Sequence, residues 1–117
     1  MLNLRYQDKA ERPWGSWEVI EKGNGYKIKK LIIQPSQSIS FQYHNHRSES
    51  WSIVEGFGEV ILLDKVFRVS AGDAFVVPVK ATHKITALST TPLVAIEVQM
   101  GEITEEHDIV RIGEVNE

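Results

Sequence analysis

The chain has 117 residues, 42% apolar and 25% charged, long enough for one domain with a single buried core and too short for two. Thirteen basic residues against 16 acidic give a formal charge of −3, which argues against a nucleic-acid or membrane-surface binder but allows local basic clusters that grip a small anion. Cysteine is absent, so disulfides and thiolate metal sites are excluded, and any metal must be held by His, carboxylate or amide groups.

The N-terminal stretch MLNLRYQDKAERPWG is charged and has no hydrophobic signal core, and no apolar run approaches membrane-spanning length. A cytoplasmic location with no membrane partner is expected. In chain order the predicted strands are 25–34 (GYKIKKLIIQ), 38–44 (SISFQYH), 51–56 (WSIVEG), 58–63 (GEVILL), 65–70 (KVFRVS), 74–78 (AFVVP), 83–88 (HKITAL) and 92–99 (PLVAIEVQ). Each is rich in β-branched or aromatic residues and bounded by Gly, Pro, Asp or Ser. Only 101–112 (GEITEEHDIVRI) could carry a turn of helix, and the acidic end GEVNE reads as a solvated tail. This spacing points to an all-β sandwich or barrel.

Strand alternation sets residues i, i+2 and i+4 on one face. In SISFQYHNH that places Ser40, Gln42, His44 and His46 together, opposite Ile39, Phe41 and Tyr43. A merely solvent-facing side would carry Lys, Glu or Thr. Two surface histidines would account for the His-x-His spacing alone. Glu49 just past the strand and His83 at the start of a later one turn the reading toward a metal site.

These residues resemble the two motifs of the cupin superfamily, G-x5-H-x-H-x3–4-E-x6-G and G-x5-P-x-G-x2-H-x3-N. Gly72, Pro78 and His83 match the second, with Lys80 and Ala87 where the family has Gly and Asn. In the first, Glu49 is followed by six residues and Gly56. Counting back from Glu49 puts the paired ligand positions on His44 and Gln42, and the opening Gly on Ser36. The resemblance implies a jelly-roll-like double-stranded β-helix as a single cupin domain over 1–117, its motif-bearing barrel at about 12–112. It implies a metal held by Gln42, His44, Glu49 and His83.

RPWG at 12–15, SFQYHNHRSESW at 40–51 and EVQMGEITEEHDIVRI at 97–112 resemble more closely the C-terminal cupin domain of type II mannose-6-phosphate isomerases. That domain is commonly fused to a mannose-1-phosphate guanylyltransferase. Ser50 stands where the family usually has His, and guanylyl transfer is not expected of this chain. The implied reaction is the interconversion of mannose 6-phosphate and fructose 6-phosphate through an enediol.

Two imidazoles, an amide and one carboxylate would leave a divalent ion with net positive charge and open positions. Such an ion suits the proton shift of aldose–ketose isomerisation. Zn²⁺ is the first choice, with Fe²⁺, Mn²⁺ or Ni²⁺ open. His46 is then a proton carrier, or a ligand in place of Gln42. Glu97 is a second candidate base, or an exposed strand carboxylate. Arg47, Arg111 and Lys27 are the candidate contacts to substrate phosphate, Arg12 also matching the family pattern. Trp14 and Trp17 belong to the core or to a subunit contact, and a homodimer is expected from the resemblance. A cupin that binds a sugar without turnover is the alternative reading; an Fe²⁺ dioxygenase would more naturally place His at position 42.

Overall fold

A computed structural model of the protein describes residues 8–102, 104 and 108–112. Among these residues the chain is all strand: β1 (Lys9–Arg12), β2 (Gly15–Gly23), β3 (Tyr26–Ile33), β4 (Gln42–Tyr43), β5 (Arg47–Glu55), β6 (Phe57–Leu62), β7 (Lys65–Ser70), β8 (Ala74–Val77), β9 (His83–Ala87), β10 (Leu93–Gly101) and β11 (Val110–Arg111). They form two antiparallel sheets, one ordered β1-β2-β3-β10-β5-β8 and the other β11-β4-β9-β6-β7.

Period-two burial accounts for the arrangement. Leu31 and Ile33 of β3, Ile53 of β5, and Leu93 and Ala95 of β10 face Val60 of β6 and Ile85 and Ala87 of β9 across the interior. Each large aliphatic side chain in that layer contributes about 1.5–3 kcal/mol by leaving water. The inner face of the larger sheet changes character along its strands. One cross-strand row reads Leu31, Ala95, Ile53; the next reads Lys29, Glu97, Trp51, Phe75; the next reads Lys27, Gln99, Glu49, Val77. One end of the interior is therefore a hydrophobic core, and the other is lined with charge.

Several expectations need correction. β1 and β2 had no counterpart among the predicted strands. β1 is a charged edge strand with no apolar alternation, and β2 carries a register shift between Val19 and Glu21 that breaks its period. The strand expected at 38–44 shrinks to the two residues of β4 plus an isolated bridge from Ser38 to Thr86. β5 begins at Arg47, four residues before the predicted start. The helical turn expected within 101–112 is not seen in its described part, which contains β11; residues 103 and 105–107, like the tail 113–117, lie outside the described residues.

The departures from the cupin glycine pattern have a backbone consequence. Gly56 and Gly72, which keep the pattern, have φ of 80° and 97°, but Ser36 and Lys80, which break it, are also left-handed at 69° and 67°. The fold keeps the conformation and carries the cost of a Cβ there, about 1–2 kcal/mol per residue. Lys80 also donates its backbone N–H to the carbonyl of His44 at 2.8 Å, a bond that glycine would preserve. Lys80→Gly should stabilise the protein by up to about 1 kcal/mol after the added entropy of the unfolded chain. Urea unfolding checks this, and a lowered midpoint would contradict it.

Candidate metal centre

In β5 the alternation turns Arg47, Glu49 and Trp51 inward and Ser48, Ser50 and Ser52 outward. Glu49 is 1% exposed and is the hub of the polar end. Its Oε2 lies 3.1 Å from His44 Nε2 and accepts from Arg47 Nε at 3.0 Å. Oε1 accepts from the indole Nε1 of Trp51 at 3.0 Å and lies 3.5 Å from His83 Nε2. Donor atoms of His44, Glu49 and His83 all lie within 4.8 Å of one another.

The far side of each imidazole identifies its tautomer. His44 Nδ1 sits 2.6 Å from the carbonyl of Asp108, and His83 Nδ1 sits 3.1 Å from the carbonyl of Ala81. A carbonyl can only accept, so both Nδ1 atoms carry hydrogen and both Nε2 lone pairs point toward Glu49. His83 Nε2 is buried with no hydrogen-bond partner. Two imidazole lone pairs and a carboxylate facing one another without a proton between them form a donor set suited to a divalent cation. Arg47 Nη2, 3.0 Å from Glu49 Oε2 and 3.4 Å from His44 Nε2, supplies positive charge there, so an incoming ion competes with this guanidinium.

The electrostatics of the buried groups support the same assignment. Burial pushes the His44 pKa down, against the pull of Glu49, and keeps the imidazole neutral, as a ligand must be. For Glu49, burial acts to raise the pKa, but the surrounding imidazoles of His83 and His44 and the carboxyl of Glu97 outweigh it and hold it well below the usual range. Glu97 behaves oppositely: burial and the charge of Glu49 push it well above the usual carboxylate range, with Lys29 opposing. The pair keeps its charge on Glu49 and its proton on Glu97.

Gln42 stands directly across from His83 in the β4–β9 pairing, so the two side chains share a face. Its Oε1 accepts from Ser40 Oγ at 2.8 Å. A cavity opens from this cluster, lined by Arg12, Trp14, Trp17, Lys29, Gln42, His44, Arg47, Trp51, Glu97 and Arg111, among others. Among these, four Lys and Arg side chains face the single carboxylate of Glu97, so the cavity favours an anionic ligand. Lys29 Nζ lies 4.1 Å from the centre of the Trp17 ring, and the Arg12 guanidinium lies 5.9 Å from it, a cation–π arrangement at the wall.

The structure brings together most of the candidate residues. His44, Glu49 and His83 bring donor atoms within 4.8 Å of one another, Gln42 pairs across from His83, and Gln42, His44, Arg47, Glu97 and Arg111 line one cavity. His46 does not join them: it is exposed and is not among the cavity-lining residues. β4 ends at Tyr43, and the alternation that would have carried His46 inward stops with it. Lys27 is also corrected. It is buried opposite Gln99 rather than in the cavity wall, and the lysine that lines the cavity is Lys29, two residues on. Lys27 and Lys29 share one face of β3, and strand alternation alone does not say which lies nearer the opening. Trp14 and Trp17 are core residues that also line the cavity, and Asp108, which no motif marks, joins the site through His44.

The fold is that of a cupin, a double-stranded β-helix. Solved structures with this fold include oxalate decarboxylase from Lactobacillus farciminis (TM-score 0.79, 22% identity, 89% of this chain and 33% of that one). They also include the cupin domain of Schizosaccharomyces pombe Cnp3 (TM-score 0.69, 14% identity, 82% and 66%). A family model described as "Mannose-6-phosphate isomerase C-terminal" matches residues 3–114, and the chain belongs to that family. Curated relatives include mannose-1-phosphate guanylyltransferase 2 of Escherichia coli, 38% identical over 100 residues, or 86% of this chain and 21% of the relative. The alginate biosynthesis protein AlgA of Pseudomonas aeruginosa is 34% identical over 104 residues, 89% and 22%. The chain thus spans about a fifth of the length of these relatives.

Proposed function

We propose that this chain is a metal-dependent aldose–ketose isomerase acting on a phosphorylated sugar, interconverting mannose 6-phosphate and fructose 6-phosphate. The observation that carries the reading is the His44–Glu49–His83 donor set, whose His44 also lines a cationic cavity together with the buried Glu97. Gln42, His44, Glu49 and His83 would hold the ion, Zn²⁺ first, with Fe²⁺, Mn²⁺ or Ni²⁺ suited to the same donors. When bound, it supplies a Lewis acid that polarises the substrate's oxygens.

Glu97 is the proton carrier. Burial and the charge of Glu49 raise its pKa, which makes its ionised form a stronger base than an ordinary carboxylate. In its ionised form it takes the proton from the carbon beside the carbonyl, becoming the neutral carboxyl, an enediol forms, and that proton returns one carbon along, restoring the carboxylate. Gln99 Nε2 donates to Glu97 Oε1 at 3.0 Å and fixes its orientation. Arg12, Lys29 and Arg111 receive the phosphate, while Arg47 is bonded to Glu49. The Ser50 departure does not touch this chemistry, because Ser50 is exposed on the outer face of β5. That weakens the alternative of a sugar-binding cupin without turnover.

A coupled assay for fructose 6-phosphate with added Zn²⁺, Mn²⁺, Fe²⁺ or Ni²⁺ tests the proposal. Conversion in at least one metal is expected. Binding of mannose 6-phosphate without conversion in all of them would replace it with the binding-module reading.

We propose the outer face of the six-stranded sheet as the surface of the expected homodimer. Ile28, Val98 and Val76 lie in one cross-strand row there, with Ile32, Val94 and Ile96 beside them. Val54, Val76 and Met100 are exposed on this face. Strand spacing and rise give it an area of roughly 600 Å², close to the ~800 Å² that each partner buries in a standard interface. Glu18, Lys30 and Glu55 border this apolar patch on the same face, and a patch of this kind can pair with its own copy about a two-fold axis. Sedimentation equilibrium should find a dimer, and Val76→Glu should shift it to monomer; a monomeric wild type would refute the assignment.

A further inference from the structure

The end of the described chain lies along the metal-ligand loop. β11 pairs with β4, Arg111 opposite Gln42 and Val110 opposite Tyr43, and the backbone N–H of Ile112 donates to the carbonyl of Phe41 at 2.8 Å. Asp108, 6% exposed, holds the loop itself. Its Oδ1 accepts the N–H of Asn45 at 3.0 Å, its Oδ2 accepts the N–H of His46 at 2.9 Å, and its backbone carbonyl accepts His44 Nδ1–H. Residues 44–46 belong to no strand. The loop donors therefore find in Asp108 the acceptors that a sheet partner would otherwise supply.

We propose that Asp108 is the positioning residue of the metal centre, and that docking of residues 108–112 and metal binding stabilise each other. It rests on the metal reading of the site. The backbone carbonyl of Asp108 fixes the tautomer and ring angle of His44, and its carboxylate fixes the backbone from which that ring projects. Ile109 and Arg111, from the same segment, line the cavity. One short segment thus sets a ligand's geometry and brings an arginine to the cavity, and anything that orders one end favours the other. By linkage the coupling is reciprocal: the segment raises metal affinity by the factor by which metal tightens the segment.

The test is the Zn²⁺ affinity of the full chain, measured by competition with a chromophoric chelator, alongside the unfolding midpoint of the metal-free protein. Asp108→Ala should weaken Zn²⁺ binding by about 10–100-fold. Asp108→Asn, which retains a side-chain acceptor, should recover part of that loss. Unchanged affinity in Asp108→Ala, even with a lowered midpoint, would make the residue merely structural and overturn the proposal. Hydrogen exchange on the wild type gives a second test that needs no variant. Zn²⁺ should slow exchange at the Asn45, His46 and Ile112 amides, and equal exchange with and without metal at Ile112 would overturn the coupling. A wild type that binds no Zn²⁺ at all overturns this proposal together with the metal reading.

Discussion

His44→Ala and His83→Ala should each lose bound metal and, with it, isomerisation, by about 1,000-fold or more. That factor corresponds to the several kcal/mol a Lewis acid contributes to such a transition state. Each change removes an imidazole whose Nδ1 is fixed by a backbone carbonyl and whose Nε2 faces Glu49. The fold should survive, because the apolar half of the interior, around Ile33, Ile85 and Leu93, is untouched. His83 is 0% exposed, so its removal leaves a cavity and costs about 1–3 kcal/mol. Metal content by elemental analysis and unfolding by circular dichroism separate the two effects. Folded variants that retain stoichiometric metal would contradict the ligand assignment.

Glu97→Gln should lower kcat by about 100- to 10,000-fold, the range for loss of a general acid–base group, without lowering stability at neutral pH. Glutamine reproduces the shape of the protonated carboxyl and keeps an oxygen for the bond from Gln99. The pH dependence supplies an independent check. The folded-state pKa of Glu97 lies well above the usual value, so the folded protein holds a proton that the unfolded chain has already released. Its contribution is fully present below the usual carboxylate value and is lost as pH rises toward the raised one. Glu49, with a depressed pKa, does the reverse and loses its contribution as pH falls. The difference between wild type and Glu97→Gln in urea unfolding at a series of pH values should therefore show the wild type losing relative stability as pH rises. A flat difference would mean that Glu97 is not the protonated partner, and full activity in the variant would remove it from the chemistry.

Much of the site was legible in the sequence because spacing carries it. Counting from Gly56 back through Glu49 to His44 and Gln42 used only intervals along the chain, and the structure sets Gln42 across from His83 and Glu49 beside both histidines. The strands from β6 to β9 were read to within a residue because their apolar alternation is regular. What failed depended on where alternation stops. His46 was placed by extending a strand that ends at Tyr43, and β2 was missed because its register shift hides its period. The choice of Lys29 over Lys27 and the part played by Asp108 were not legible for another reason. Their roles arise from cross-strand neighbours and from a contact between residues 64 positions apart, which no local window contains.

The most direct test of the account is proton nuclear magnetic resonance of mannose 6-phosphate incubated with the metal-loaded protein in D₂O. The account expects fructose 6-phosphate to appear with deuterium at the carbon that receives the returning proton, and expects neither product nor label when the metal is removed or Glu97 is changed to Gln. Metal-loaded protein that binds mannose 6-phosphate yet yields neither ketose nor exchanged hydrogen would contradict it.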